Sequence, residues 1–367
     1  MNTLQRLHGE QDQSPWLDFI DRGVIESGRL AELVGMGIRG LTSNPTIFAK
    51  AVATGQYDAL MRRELEAGHD KRRIFEEIEI ADLGDAADIL RPVYDDSDGT
   101  DGFVSIEVEP DLAGDSDRTL ERARHLWGRL ARPNVFVKIP ATPAGLPAIE
   151  AAIAEGININ ITLMFSVDVY RDVARAYIAG LRQRRAAGGE IGRVASVASF
   201  FVSRVDTKVD KALDAIGTQA ALAARGQAAI ANAKLAYHAY REIFEGGEFD
   251  DLRAAGARVQ RCLWASTSTK NPAYRDVMYA EELIGPQTVD TLPTETIQAF
   301  LDHGVVSRTL DVGLDEALAA IRSVEALGIR METVTDELIT EGVAAFTASF
   351  EDLMGVIDAQ RRALAPA

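Results

Sequence analysis

The chain has one cysteine, Cys262, and so no pair from which to build an internal disulfide; a reducing compartment, the cytoplasm, is the expected setting. Histidine is scarce as well. The five histidines are scattered, no Cys/His spacing suits a metal, and no metal or cofactor is expected. No apolar run approaches the roughly 20 residues that span a bilayer. The first residues, MNTLQRLHGEQDQ, lack the apolar core of a signal peptide. Positive charge is in short supply: 39 Lys and Arg face 56 Asp and Glu, a net charge of −17. That balance repels nucleic acid and anionic membranes and leaves small molecules as the expected partners. A small anion is still admissible, since it answers to a few local cations. No GxGxxG or P-loop follows the first apolar run, which weighs against a nucleotide-binding sheet.

What the sequence does have is 47% apolar residues in a chain of 367, enough for a large core. Eight short runs read as strands: PWLDFI (15–20), IRGLTSN (38–44), GFVSIEV (102–108), NVFVKIP (134–140), NINITLM (158–164), RVASVASFF (193–201), RVQRCLWAS (258–266) and QTVDTLP (287–293). Helical spacing fills 118–131, 166–185, 203–245 and 272–285, and the segment 45–92 reads as more than one helix. Two helices close the chain, 314–328 and a last one on which Ile339, Val343, Phe346, Phe350, Met354 and Ile357 share an apolar face. Alternating strands and helices imply parallel strands with helical crossovers. Eight of them favour an α/β (β/α)8 TIM barrel with additional helices over an open doubly wound sheet. With no Pro/Gly/Ser linker and no repeat, residues 1–367 read as a single domain, with a helical insert at about 45–92 and C-terminal helices at about 313–362. The last apolar face can cover the barrel or a neighbour, so monomer and homodimer both stay open.

Within VFVKIPATPAGL (135–146) a single lysine, Lys138, interrupts an apolar run. Alternate strand residues point into a barrel or out to its helices. Val135, Val137 and Ile139 share the parity suited to the helices, which turns Phe136 and Lys138 inward. Ser105 and Glu107 take the same side of the third run, Asp18 shares parity with Trp16, and Asn158, Asn160 and Thr162 share a side of the fifth. Ser199 goes with Phe201 in the sixth run, and Asn44 ends the second. A strand lysine is ordinarily an edge residue or one that snorkels to water, and Asn-Pro is ordinarily a turn. Polar residues gathered near the C-terminal ends of six strands point elsewhere, because barrel enzymes assemble their sites at that end.

Burial disfavours the charged form of a lysine, leaving a fraction as free amine that attacks carbonyl carbon. A Schiff base so formed is an electron sink that makes cleavage of the adjacent carbon–carbon bond feasible. The chemistry further needs an acid/base for the carbinolamine, a base for the hydroxyl at the breaking bond, and neutral groups for the substrate hydroxyls. Glu107, Asp18 and the Asn/Thr/Ser set fit those places. Arg204 follows the sixth run, and Ser266, Ser268 and Lys270 follow the seventh, where barrels commonly hold a phosphate. For Arg204 the alternative is a salt bridge with Asp206 or Asp210.

These residues lie in segments that resemble the transaldolases. GLTSNPTIF (40–48) and VFVKIPATPAGL (135–146) resemble the two signatures of that family, the second carrying its Schiff-base lysine. GININITLMFS (156–166), SFFVSRVD (199–206) and WASTSTKNPAYRDVMYAEELIGPQTVDTLPTET (264–296) are similar too, and the length and the last segment resemble the longer bacterial subgroup. The resemblance implies that Lys138 forms the Schiff base, that Glu107 with Thr162 and a water moves protons, and that Asp18 deprotonates the C4 hydroxyl. It implies that Asn44 and Asn160 hold the dihydroxyacetone hydroxyls and that Ser199 and Arg204 grip the phosphate. The implied reaction moves a dihydroxyacetone unit from sedoheptulose 7-phosphate to glyceraldehyde 3-phosphate, giving erythrose 4-phosphate and fructose 6-phosphate in the non-oxidative pentose phosphate pathway. Lys270 stands where some family members carry arginine, and lysine lacks the bidentate fork. Leu41 is bulkier than the residue usual at its position. Two rivals remain: a fructose 6-phosphate aldolase on the same barrel, against which length and Glu107 both weigh, and a non-catalytic phosphosugar-binding barrel, in which Lys138 or Asp18 should have been lost.

Overall fold

The computed structural model describes residues 1–43 and 45–364, so Asn44 lies outside the described residues. Eight parallel strands close into a barrel in chain order: β1 (Gln13–Leu17), β2 (Gly40–Leu41), β3 (Phe103–Glu107), β4 (Val135–Pro140), β5 (Ile159–Met164), β6 (Ser196–Phe201), β7 (Arg261–Ala265) and β8 (Thr288–Leu292), with β8 paired to β1. This is the TIM barrel read from the alternation of runs, with additional helices around it.

Two apolar layers follow from the strand alternation. Val135, Val137, Ile139, Ile159 and Ile161 belong to the layer between barrel and helices, whereas Trp16, Phe103, Phe136, Val197, Leu263 and Val289 fill the barrel itself. Phe103 and Phe136 stack with centroids 4.2 Å apart, and Trp16 stacks on Phe136 at 6.1 Å. The indole occupies the space a side chain on β2 would need: a Cβ at Gly40 would lie 2.4 Å from Trp16 Cε2. Beneath this plug Asp101 accepts from Trp16 Nε1 (2.9 Å), Arg39 Nε (2.6 Å) and the Ser14 hydroxyl, closing the N-terminal end with a buried polar network.

Several elements are shorter than their apolar runs. β2 has two residues of the expected 38–44, and β1 ends at Leu17, leaving Asp18 just beyond it. The helix expected over 272–285 is reduced to Met278–Glu282. There the Thr269 hydroxyl donates to the carbonyls of Arg275 and Asp276 (3.0 and 3.1 Å), holding the preceding chain in turns. The stretch 203–245 divides into Ser203–Ile216, Gln219–Ala223 and Ala228–Phe244, broken where Gly217 and Gly226 take φ of 68° and 70°. The segment 45–92 holds Pro45–Ala53, Asp58–Glu66 and most of Lys71–Asp96, all lying between β2 and β3. Of the closing helices Leu314–Ala326 and Met331–Leu364, the second packs on Pro45–Ala53 and covers the C-terminal mouth of its own barrel. Among the described residues, no helix is long and apolar enough to cross a membrane.

Candidate active site

A cavity of about 770 Å³ opens at the C-terminal mouth of the barrel. Asp18, Glu107, Lys138, Thr162, Ser199, Arg204, Ser266 and Lys270 all line it, so side chains from six strand ends converge on one space. Lys138 and Glu107 are register neighbours on β4 and β3, and the Lys138 ammonium donates to Glu107 Oε2 at 3.3 Å. Their side chains are only 13% and 9% exposed. The apolar neighbours of Lys138 in sequence face the helices, so its amine sits among polar groups and not in the apolar surroundings its run implies.

The two carboxyls are tuned upward. Burial raises the pKa of Glu107 above the usual carboxylate range, the Lys138 charge and hydrogen bond opposing it and Asp18 adding to it. Burial likewise raises Asp18, against the Thr42 hydroxyl, Lys138 and Lys270, with Glu295 at the rim pushing it further up. Thr42 Oγ1 donates to Asp18 Oδ1 at 2.9 Å, which fixes the carboxyl and leaves its second oxygen for the cavity. Thr162, 1% exposed, has a hydroxyl with no partner among the described residues, a ready anchor for a water or substrate atom.

Asn160 is not on the cavity wall. It is fully buried one layer below, donating to Ser105 Oγ (3.1 Å) and accepting from Ser199 Oγ (2.6 Å). Ser199 therefore commits its proton to Asn160 and presents lone pairs to the cavity, which suits a substrate hydroxyl better than a phosphate oxygen.

Arg204, half-buried on the cavity lining, lies over the Phe201 ring with Cζ 5.1 Å from the centroid. Among the described residues it has no carboxylate partner. The two aspartates considered for it are engaged elsewhere: Asp206 accepts from Ala229 N and Tyr279 Oη (2.8 and 2.9 Å), and Asp210 from Gly226 N and Tyr274 Oη (2.9 and 2.6 Å). Burial lowers the guanidinium pKa, the mark of a cation lacking a counter-charge. Ser266 bonds the Ser203 hydroxyl at 2.9 Å, and Lys270, exposed at the rim, donates to Ser268 Oγ at 2.5 Å. Leu163 and Ser266, at the ends of β5 and β7, hold left-handed φ of 57° and 58°. Strain of this kind in non-glycine residues gathers at working sites.

A part-buried amine among three possible proton carriers, with a guanidinium lining the same cavity and lacking a carboxylate partner among the described residues, is suited to imine chemistry on a phosphorylated carbonyl compound. Comparison with known proteins agrees. The family model described as transaldolase/fructose-6-phosphate aldolase matches residues 15–357. The chain belongs to the transaldolase/fructose-6-phosphate aldolase family.

Among its relatives in this family, a transaldolase 2 of Nostoc sp. is 47% identical over 370 residues, covering 97% of each chain. A transaldolase of Thermobifida fusca is 48% identical over 356 residues and 96% of each chain, and one of Mycolicibacterium paratuberculosis 48% over 345 residues, 93% of this chain and 92% of its own. The cavity is also lined by residues that sequence reasoning did not assign to a site. Thr42 lies inside GLTSNPTIF, where its hydroxyl gives no sign of pairing with Asp18. Gly342, Phe346 and Ser349 come from the closing helix, and periodicity cannot say which surface a helix will cover. A Cβ on Gly342 would lie 3.2 Å from Leu163 Cδ2 and 3.7 Å from Arg204 Nη1, so the closing helix roofs the guanidinium end of the cavity.

Proposed function

We propose that this chain is a transaldolase, a transferase acting on sugar phosphates in the non-oxidative pentose phosphate pathway. The observation that carries the reading is the Lys138 amine held 3.3 Å from Glu107 in a cavity also lined by Arg204, which has no carboxylate partner among the described residues. Lys138, once deprotonated, attacks the C2 carbonyl of sedoheptulose 7-phosphate. Glu107 gives its proton to the carbinolamine hydroxyl, which leaves as water beside Thr162, and the Schiff base remains. Asp18 takes the proton of the C4 hydroxyl. The C3–C4 bond breaks, its electrons pass to the iminium, and erythrose 4-phosphate departs. The bound enamine then attacks the aldehyde of glyceraldehyde 3-phosphate with Asp18 returning the proton. Water, activated by Glu107, releases fructose 6-phosphate by the reverse of the first steps. Arg204 holds the phosphate, with Ser266 and Lys270 beside it. Ser199, oriented by Asn160, accepts a substrate hydroxyl.

The full-length relatives named above carry the transaldolase name, which favours transfer over simple cleavage. The test is direct: incubate the protein with fructose 6-phosphate, reduce with borohydride, and locate the adduct by peptide mass spectrometry. An adduct on Lys138, absent in Lys138→Met, is expected; none, or one on another lysine, sinks the mechanism. Turnover that requires erythrose 4-phosphate marks a transferase, and free dihydroxyacetone without it marks an aldolase.

A further inference from the structure

One buried carboxyl takes no part in this scheme. Glu79, on the helix Lys71–Asp96, is 5% exposed, and its carboxyl makes no hydrogen bond or ion pair with any described residue. A carboxyl in a residue so buried ordinarily has a protein partner, and here it borders a void instead. Behind the main cavity lies a second void of about 10 Å³, walled by Ser43, Glu79, Glu107, Glu109, Phe75 and Phe350. That is roughly the space of one water molecule. Glu107 thus stands between the two spaces, with Lys138 on one side and Glu79 on the other.

The charges around Glu79 decide its state. Glu76 lies on its own helix, Glu107 and Glu109 at the end of β3, and Arg122 on the helix Ser116–Leu130; the closing helix brings only Phe346 and Phe350. Arg122 is already held by Glu76 (2.5 Å) and Glu109 (2.7 Å), so it does not neutralise Glu79. Burial first, then Glu109, push the Glu79 carboxyl well above the usual range. Burial and the surrounding carboxyls favour its protonated form, and among the described residues that carboxyl has no acceptor.

We propose that Glu79 is a positioning residue for Glu107: its protonated carboxyl donates, through one water in this void, to the Glu107 carboxylate and holds it turned toward Lys138. This rests on Glu107 being the proton carrier. A donor directed at a carboxylate favours its charged form, so Glu79 offsets part of the effect of burial on Glu107.

The test measures imine formation with fructose 6-phosphate in single turnovers, trapped by borohydride across pH, together with thermal unfolding. Glu79→Met should move the carboxyl ionisation governing imine formation upward by roughly one pH unit, the size of one lost hydrogen bond to a charge. Its Tm should stay level or rise, because an unpartnered acid has left an enclosed site. Glu79→Gln, whose amide still donates, should return the profile most of the way to wild type. A wild-type profile in Glu79→Met, or equal shifts in both variants, overturns the proposal. If Glu79→Met does not fold, Glu79→Leu takes its place. An infrared band of a protonated carboxyl at pH 7, lost in Glu79→Gln, checks the donor itself, and no such band refutes it. Glu107→Gln separates the two readings: if it forms the imine at the wild-type rate, the role of Glu107 falls and this inference with it. If it is impaired while Glu79→Met is normal, only this inference falls.

Discussion

Replacing Arg204 by methionine should cost catalysis heavily and stability hardly at all. In the free protein the guanidinium makes one evident favourable contact, the Phe201 ring 5.1 Å from Cζ, worth about 0.5–1 kcal/mol. Against it stands the burial of a cation with no carboxylate partner among the described residues, whose pKa is lowered by that burial alone. Methionine keeps the apolar stem against Phe201 and relieves the buried charge, so unfolding free energy should move by less than about 1 kcal/mol either way. Bound phosphate changes the balance. Charge-assisted hydrogen bonds contribute about 1.5–3 kcal/mol each, and allowing for non-additivity a lost bidentate pair costs about 2–4 kcal/mol. That corresponds to a fall in kcat/KM of about 30- to 1000-fold. The assay compares kcat/KM for fructose 6-phosphate and for fructose, alongside thermal unfolding. Fructose, lacking the phosphate, should lose little, and Arg204→Lys should recover part of the loss as a point charge without the fork. Equal losses on both sugars, or a Tm lowered by many degrees, would show Arg204 to be a structural residue and refute the argument.

Two other substitutions test the frame around the site. Asp290, fully buried on β8 and accepting from Thr267 Oγ1 at 2.9 Å, has its carboxyl raised by burial to about 7. The folded state then binds a proton more tightly than the unfolded chain, so its contribution is complete below about pH 4 and is lost as pH rises through 7, up to about 4 kcal/mol. Asp290→Asn should flatten denaturant-measured stability between pH 5 and pH 8 and be the more stable protein at pH 8; an unchanged slope would contradict the assignment. Gly40→Ala forces a methyl to within 2.4 Å of the Trp16 ring, itself stacked on Phe136, and should cost about 1–3 kcal/mol by chemical denaturation. An undiminished stability would mean that the plug has slack the packing does not show.

The barrel was legible because its signal is repeated eight times: each apolar run is short, each is followed by helical spacing, and errors of a few residues at the ends leave the topology intact. The runs could not give the points where pairing stops. β2 keeps two residues of a run of seven, although Arg39 N and Thr42 N on either side still donate to the β1 carbonyls of Pro15 and Leu17 (2.9 Å each); beyond it Thr42 and Ser43 turn their hydroxyls to Asp18 and the Ser105 carbonyl. The Thr269 hydroxyl likewise holds the carbonyls of Arg275 and Asp276 just before the short helix Met278–Glu282. Side-chain bonds of this kind leave no trace in hydrophobic periodicity.

The site was legible by the same parity that fixed the barrel, and it fails where parity says only inward and not how deep. Lys138 and Asn160 are register partners, both turned into the barrel, yet one reaches the cavity and the other does not. Length is the difference: an amide two carbons shorter than an ammonium stays among Ser105 and Ser199, while the lysine stem carries its amine past them to Glu107. An apolar sequence around a charge is therefore no measure of the charge's surroundings. Val135, Val137 and Ile139 set the helix-facing side of the strand, and the surroundings of Lys138 come from Asp18, Glu107 and Thr162, each on another strand end. Those three can be changed one at a time without touching the strand that bears the lysine, which separates their part in the proposed chemistry from that of the strand.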